Sequence, residues 1–526
     1  MFYLLTLHKK LMRKLPIGIQ SFENIRKDNY IYVDKTNYIY DLLNSGKYFF
    51  ISRPRRFGKS LLVDTIKCLF EGKKELFEGL FIYDKWNWEE KYPVIRIDFS
   101  IDRVSNREEL NGLVNYLIDD YAKLYNVEVS GYSINQKFRE LIIQLNEKYK
   151  NKVVVLVDEY DKPILDNIDK DNVLEVRDAL RDVYGILKPM DNYLKFVLLT
   201  GVSKFSKVSI FSGLNNLNDI TIDDNFSAIC GYKEEDLDKY FGEYLDGVDR
   251  ELLRLWYNGY SWGGDRVYNP FDILLFFSKR NDFRPYWFET GTPTFLIKLL
   301  MSKKFFIPDI EHIEANDTIL SSFEIERISP VTLLFQTGYL TIKEIIHQSE
   351  KRIYILSYPN KEVRVALNDY ILKDYVNDDS SEQVSISNRI YRSMRDGNVE
   401  MAVKEFQRLF SGIPYQWYVN NRLNEYEGFY SSIFYSVFNS LGLECVAEDI
   451  TNRGRIDLTI KIDNYIYIFE FKVIEEIEDS KKPLEQIKER RYFEKYQREN
   501  KEIILVGIEF SKEKRNIKEY AFEKIK

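Results

Sequence analysis

With 526 residues, the chain is too long for one ordinary core, and length alone points to two to four domains. Hydrophobic residues at 44% and charged residues at 30% are the balance expected of a soluble globular protein, and 39 Tyr with 35 Phe argue against disorder. A net charge of −7 excludes a uniformly basic nucleic-acid coat but leaves room for a local basic groove.

The opening run from Phe2 to Leu7 is largely apolar, yet too short for a signal-peptide core and without a cleavage site. Ordered sequence is expected to begin near Met12, leaving the first eleven residues outside the fold. No run of 18 apolar residues occurs, so no membrane span is expected. Cys68, Cys230 and Cys445 lie far apart, which excludes a CxxC zinc site and fits a reducing, cytoplasmic setting.

Up to residue 229, β-rich runs alternate with helical patterns. Strands are expected at 48–52, 93–99, 152–157 and 196–200, and helices at 60–70, 109–125 and 134–148. The Val and Leu run at 152–157 is that of a parallel strand buried on both faces. This rhythm predicts an α/β domain with a parallel sheet over 15–229. From 230 to 376, helical stretches such as 234–244 and 270–280 alternate with aromatic turns such as 256–262, predicting a mainly helical, winged-helix-like lid domain. The polar stretch 377–387 reads as a linker. Helical patterns at 390–410 and 427–441, two adjoining strands, a helix at 483–496 and a strand at 502–507 then predict a second α/β domain over 388–526.

The first expected strand ends in Arg53-Pro54-Arg55-Arg56-Phe57-Gly58-Lys59-Ser60. Its end matches a P-loop, in which backbone N–H groups and a helix N-terminus hold phosphates. Arg56 and Gly58 lie in the loop, Lys59 would reach the β- and γ-phosphates of ATP, and Ser60 would ligate Mg2+. Arg53 stands where the first Gly of the motif belongs, which restricts the backbone there. The 152–157 strand runs into Asp158-Glu159, where Asp158 would hold Mg2+ and Glu159 would polarise the attacking water. A strand at 93–99 lies between the two motifs in sequence, which suits the P-loop branch with an inserted strand. Thr200 and Ser203, at the end of the next strand, are candidate γ-phosphate sensors, and a plain strand-end cap accounts for them equally well. Arg177 and Arg181 are the arginine-finger candidates.

His8, His312 and His347 are far apart, so any further catalysis should rest on carboxylates, lysines and metal. Two β-rich runs, 455–462 and 465–472, flank Asp463-Asn464, a strong hairpin signal. A two-residue turn pairs Ile462 with Tyr465, Ile460 with Tyr467, Leu458 with Phe469 and Ile456 with Phe471, making one face apolar and aromatic. The other face then pairs Asp457 with Glu470 and Arg455 with Lys472. Directly opposed side chains have Cβ atoms about 4.5–5.5 Å apart, so two like charges there call for a divalent cation between them. Lys472 would position or deprotonate a water. Ile466 and Ile468 share that face, so part of it should be covered. The late basic cluster Lys488, Arg490 and Arg491 is explained equally well as a solvated helix face.

Asp457 followed by Glu470-Phe471-Lys472 resembles the D…(D/E)-x-K signature of PD-(D/E)XK nucleases. Glu427 resembles the acidic residue on that family's first core helix, and Gln486 its further polar position. From about Leu15 the whole chain resembles a bacterial family that joins an AAA-ATPase-like domain to such a nuclease domain. The matching stretches are Leu15-Pro16-Ile17-Gly18-Ile19, Tyr32-Val33-Asp34-Lys35-Thr36, Arg53 to Ser60, Asp158-Glu159-Tyr160-Asp161, Tyr268-Asn269-Pro270 and Gly454-Arg455-Ile456-Asp457. The resemblance implies ATP binding at Lys59 and Ser60. It also implies Mg2+-dependent phosphodiester cleavage, with Asp457 and Glu470 as ligands and Lys472 as the catalytic lysine. The leading expectation is an ATP-controlled nuclease acting on nucleic acid, DNA first, with no membrane partner; a homo-oligomer is open because many such ATPases act in trans. The alternatives are a nucleotide-dependent switch whose C-terminal domain binds nucleic acid without cleaving it, and a signalling ATPase.

Overall fold

The computed structural model describes residues 12–204, 210–211, 213–287, 294–321, 328–376, 381–414, 427–474 and 482–525. The expected N-terminal extension, residues 1–11, lies outside the described residues. The chain divides into two compact units, Met1–Trp287 with Glu314–Asn360, and Phe288–Ile313 with Lys361–Lys526. The stretch 230–376, expected as one middle domain, is therefore shared between the two units.

The first unit is built on five strands: β1 (Tyr48–Ser52), β2 (Val94–Asp98), β3 (Val153–Asp158), β4 (Leu194–Gly201) and β5 (Asn218–Asp219). Their spatial order is β2-β3-β4-β1-β5, and every neighbouring pair is parallel. Every residue of β1 and β3 is buried, as unbroken apolar runs in a sheet covered on both faces require. The strand between β1 and β3 in space is β4. The one between them in sequence, β2, lies at the sheet edge. The flanking helices begin at side-chain caps: Asn106 accepts from the Glu109 N–H at 2.9 Å ahead of Arg107–Leu124, and Ser133 forms a capping box with Gln136 ahead of Ile134–Tyr149.

In the middle stretch, the helices Glu234–Phe241, Arg250–Tyr257 and Pro270–Ser278 close round an aromatic core containing Phe241, Tyr257, Tyr268 and Phe276. Between them runs the small ribbon β6 (Asn258–Tyr260) with β7 (Val267–Tyr268). Further along, β8 (Ile313–Asn316), two short helices and the hairpin β9 (Thr341–Gln348) and β10 (Lys351–Ser357) form a three-strand sheet in the order β8-β10-β9. That strand, helix, helix, hairpin order fits the winged-helix-like expectation.

The second unit carries the sheet β11 (Glu444–Thr451), β12 (Gly454–Ile462), β13 (Tyr465–Ile474), β14 (Glu502–Ser511) and β15 (Asn516–Ile525), paired in that order. Only the β13–β14 pair is parallel. The helix Glu427–Ser440 covers one face through Phe434, whose ring lies 5.9 Å from Phe469 and 5.0 Å from Phe471. The other face, with Ile466 and Ile468, is buried under Ile487, Tyr492 and Tyr496. The covering expected over those two isoleucines is complete.

Three local expectations need correction. Residues 381–387, read as linker, form the first half of the helix Ser381–Arg395. Its buried face is carried by Ile386, Ile390 and Met394, a four-residue spacing diluted by Ser, Asn and Arg. The pattern at 390–410 is two helices, Ser381–Arg395 and Val399–Ser411, broken at Gly397 with φ 69°. The helix expected at 483–496 stops at Glu489 because Arg491 is left-handed at φ 49°, and a tighter turn, Tyr492–Tyr496, follows.

Phe434 is fully buried and also stacks on Phe406 with ring centroids 3.7 Å apart. Phe434→Ala should cost the second unit about 3–5 kcal/mol. Hydrogen exchange is the fitting measurement, since the two units need not unfold together. Protection should fall in Tyr465–Ile474 and stay unchanged in Val153–Asp158.

Candidate functional site

The P-loop side chains are placed by the junction of β1 with the helix Lys59–Phe70. Between them Arg56 and Gly58 take left-handed conformations, φ 69° and 91°. The turn aims the helix N-terminus, with its unpaired N–H groups and partial positive charge, at the space above the sheet. Arg56 stacks over the Phe271 ring at 4.9 Å, and Trp287 donates its indole N–H to the Arg55 carbonyl at 3.2 Å.

Arg53 is fully buried. Its guanidinium donates to the carbonyls of Ser52 (2.9 Å), Thr221 (2.9 Å) and Phe226 (3.1 Å) and lies 4.1 Å over the Trp262 ring. The residue in place of the first Gly is thus a strut tying the loop to the 221–227 segment.

Lys59, Asp158, Glu159 and Thr200 do come together. Lys59 Nζ donates to the carbonyls of Arg53 (3.1 Å) and Pro54 (3.3 Å) and lies 3.5 Å from a Glu159 carboxylate oxygen. Thr200 donates its hydroxyl to Asp158 at 2.7 Å, and Arg96 Nη2 reaches the other Asp158 oxygen at 3.1 Å. Ser60 follows Lys59 in the first helical turn. Two residues of this cluster escaped sequence reasoning. Arg96 is a cation inside the short strand Val94–Asp98, a signal that was there to be read. Asp161 is fully buried and accepts from the N–H groups of Val202 (3.1 Å) and Ser203 (2.6 Å), fastening the loop after β4. Burial and the neighbouring Glu159 push its carboxyl above the usual carboxylate range. Ser203 therefore serves this tether, while Arg177 and Arg181 both pair with Asp178, at 2.9 and 3.2 Å. Beside Gly58 a cavity is walled by Tyr32, Val33, Phe57, Ile229 and Pro270, and the buried Lys35–Asp236 pair (2.7 Å) lies at its edge.

In the second unit the hairpin has the expected register from Ile462–Tyr465 to Leu458–Phe469. The ladder pairs then stop. The Asp457 carboxylate accepts the Phe471 N–H at 2.7 Å. On its other flank, β11 pairs Ala447 with Leu458 and Asp449 with Ile456, passing over Glu448, whose φ is 52°. Glu448, Asp457 and Glu470 thus lie in line across three strands at the point where both ladders lapse. Ile456 buries with Ile466 and Ile468 instead of facing Phe471, so that part of the expected aromatic face is corrected. The strand changes phase where the Asp457 side chain replaces a backbone partner.

Glu470 is 4% exposed. It pairs along β13–β14 with Gly507, where a Cβ would stand 2.4 Å from the Leu484 nitrogen. Only glycine lets the helix Pro483–Glu489 approach that closely and bring Gln486 onto Glu470, to which its amide donates. The second Glu470 oxygen is buried with no hydrogen-bond partner among the described residues. Burial first, and the mutual repulsion of Asp457 and Glu470 second, push the Glu470 carboxyl up. Burial likewise raises Asp457, with Glu427 and Glu448 adding to it. Glu427 is raised by burial, while the Val473 N–H and the Lys472 charge favour its anion. Asp457, Glu427 and Glu448 open on a cavity of about 830 Å³, together with Asp309 and Arg455. Arg455 forms an ion pair with Glu448. Glu448 was missed because the strand carrying it was not matched with β12.

Among the described residues no three His, Cys, Asp or Glu side chains form a ready-made metal cage. The hard oxygen donors of Asp457 and Glu470 nevertheless fit Mg2+. That ion commonly takes only one or two carboxylates, completing its shell with water and substrate phosphate. The unpartnered Glu470 oxygen is the position such an ion would satisfy.

Residues 16–211 match the family described as Predicted AAA-ATPase, and residues 425–520 match the PD-(D/E)XK nuclease superfamily. The chain is also similar to an uncharacterized protein in the vnfD 5' region of Azotobacter chroococcum mcd 1. The two are 44% identical over 515 residues, 98% of this chain and 99% of that protein.

The raised Asp457 and Glu470 carboxyls hold protons more tightly in the fold than in the unfolded chain. Their contribution to stability is present at low pH and lost as pH rises through and above the ordinary carboxylate range. In metal-free wild type, the melting temperature of the second unit should fall between about pH 4 and about pH 9. Asp457→Asn, which removes one titrating group and the repulsion on Glu470, should flatten that fall. Parallel melting curves for the two proteins would count against a strained pair.

Proposed function

The chain belongs to the family that joins a predicted AAA-ATPase to a PD-(D/E)XK nuclease superfamily domain, and on that premise we propose that it is an ATP-controlled, metal-dependent nuclease acting on nucleic acid, DNA first. The observation that carries this reading is the pairing of half-buried Asp457 with buried Glu470, which has Gln486 on one oxygen and the other oxygen unpartnered among the described residues. Asp457 and Glu470 would hold Mg2+, which when bound supplies Lewis-acid charge and an acidified water. Lys472, two residues beyond Glu470, would position that water. Glu427, held by the Val473 N–H, stands at the cavity side of the same centre.

In the first unit Lys59 exchanges its contacts with Arg53, Pro54 and Glu159 for the phosphates of ATP. Ser60 and Asp158 would hold Mg2+ and Glu159 would polarise water, while Thr200 hydrogen-bonds Asp158 and would respond to its occupancy. The engagement of Asp158 by Arg96 favours a second reading: a slow nucleotide-dependent switch. The proposed setting is the cytoplasm, where Cys68, Cys230 and Cys445 keep the free, buried thiols seen here. Among the described residues no helix is long and apolar enough to cross a membrane.

Purified protein should be mixed with plasmid, single-stranded DNA and RNA in Mg2+ or Mn2+, with and without ATP. Wild type should cleave DNA and Asp457→Ala should not, while Lys59→Ala should lose ATP affinity. Absence of cleavage by wild type and Asp457→Ala alike on every substrate would sink the nuclease reading. Full ATP affinity in Lys59→Ala would sink the nucleotide site.

A further inference from the structure

The basic cluster after the helix Pro483–Glu489 separates into different fates. Lys488 pairs with Glu523 at 2.7 Å and Arg491 with Glu494 at 3.1 Å. Arg490 does neither. Its Nη1 donates to the hydroxyl of the buried Tyr492 at 3.0 Å, and it has no ion pair with a carboxylate among the described residues. Gly454, which opens β12 at φ 144°, packs against it: a Cβ there would stand 2.6 Å from Arg490 Nη1 and 2.9 Å from the Tyr492 hydroxyl. Although exposed, the Arg490 side chain is therefore seated between a tyrosine hydroxyl and bare backbone.

That seat adjoins the Asp457–Glu470 pair. The Arg490 N–H donates to the Gln486 carbonyl at 3.0 Å, one helical turn beyond the Gln486 amide that donates to Glu470. Other cations around this sheet are neutralised: Arg455 by Glu448, Lys495 by Asp449, Arg453 by Glu494. Two acids in one centre repel a phosphodiester. A guanidinium with its fork open beside them offsets that repulsion and matches two phosphate oxygens at once.

We infer that Arg490 binds the phosphate of the nucleic-acid strand entering the Asp457–Glu470 centre, and that Tyr492 and Gly454 position it. The inference rests on the nuclease reading and names its substrate-binding cation. The full chain should be titrated with labelled single-stranded DNA, duplex DNA and RNA oligonucleotides in Ca2+, and its steady-state cleavage followed in Mg2+. Arg490→Ala should bind about tenfold more weakly and lower the slope of affinity against salt by about one, with KM rising more than kcat falls. Arg490→Lys should recover part of the affinity, and Tyr492→Phe should lose less than Arg490→Ala does. An Arg490 that merely neutralises Glu470 would leave affinity and salt slope at wild-type values while altering kcat, and that result overturns the inference. If Asp457→Ala abolishes cleavage while Arg490→Ala binds as wild type, this inference fails alone. If wild type neither binds nor cleaves, the nuclease reading fails and takes the inference with it.

Discussion

Two carboxylates held side by side, half-buried Asp457 and buried Glu470, are the constraint on which the second unit is arranged. Burial and like charge both oppose their ionisation, and each structural feature nearby answers that cost. The β12 ladder lapses so that Asp457 can take a backbone N–H from Phe471. Gly507 thins β14 so that Gln486 can reach one oxygen of Glu470. The aromatic packing under the hairpin, centred on Phe434, keeps the two strands from relaxing apart. What remains unanswered is one buried oxygen and a shared surplus of negative charge, the two things a divalent cation removes.

The first unit resolves the opposite problem. There the cation is the buried group: Lys59 is held by two carbonyls and Glu159 in a loop whose usual first glycine is replaced by Arg53. Arg53 is buried with no carboxylate ion pair among the described residues; its Nη1 and Nη2 donate to the carbonyls of Ser52, Thr221 and Phe226, while its Nε has no partner among them. The departure from the usual motif thus ties the loop to the 221–227 segment.

Much of this was legible in the residues. The central strand Val153–Asp158 showed as an unbroken Val and Leu run, and the two-residue Asp463-Asn464 turn defined the hairpin register as far as Leu458 and Phe469. What escaped has physical causes. Period-two reasoning assumes an unbroken ladder, so it carried Ile456 to the wrong face at the place where Asp457 interrupts the pairing. The helix Ser381–Arg395 hid because its buried stripe is thin, and the stop at Arg491 hid because a left-handed arginine has no composition signal. Glu448, Arg490 and Asp161 depend on long-range neighbours, Asp457, Gly454 and the loop after β4, which only the folded chain brings to them. Membership in the family supports the division of labour between the two units, while the geometry of each site comes from this chain's own side chains.

The most direct test is calorimetric titration of metal-free protein with Mg2+ or Mn2+ at neutral pH, in buffers of different ionisation enthalpy. The Asp457–Glu470 account predicts binding coupled to proton release, both lost in Asp457→Asn. Equal binding by wild type and Asp457→Asn, or binding without proton release, would contradict it.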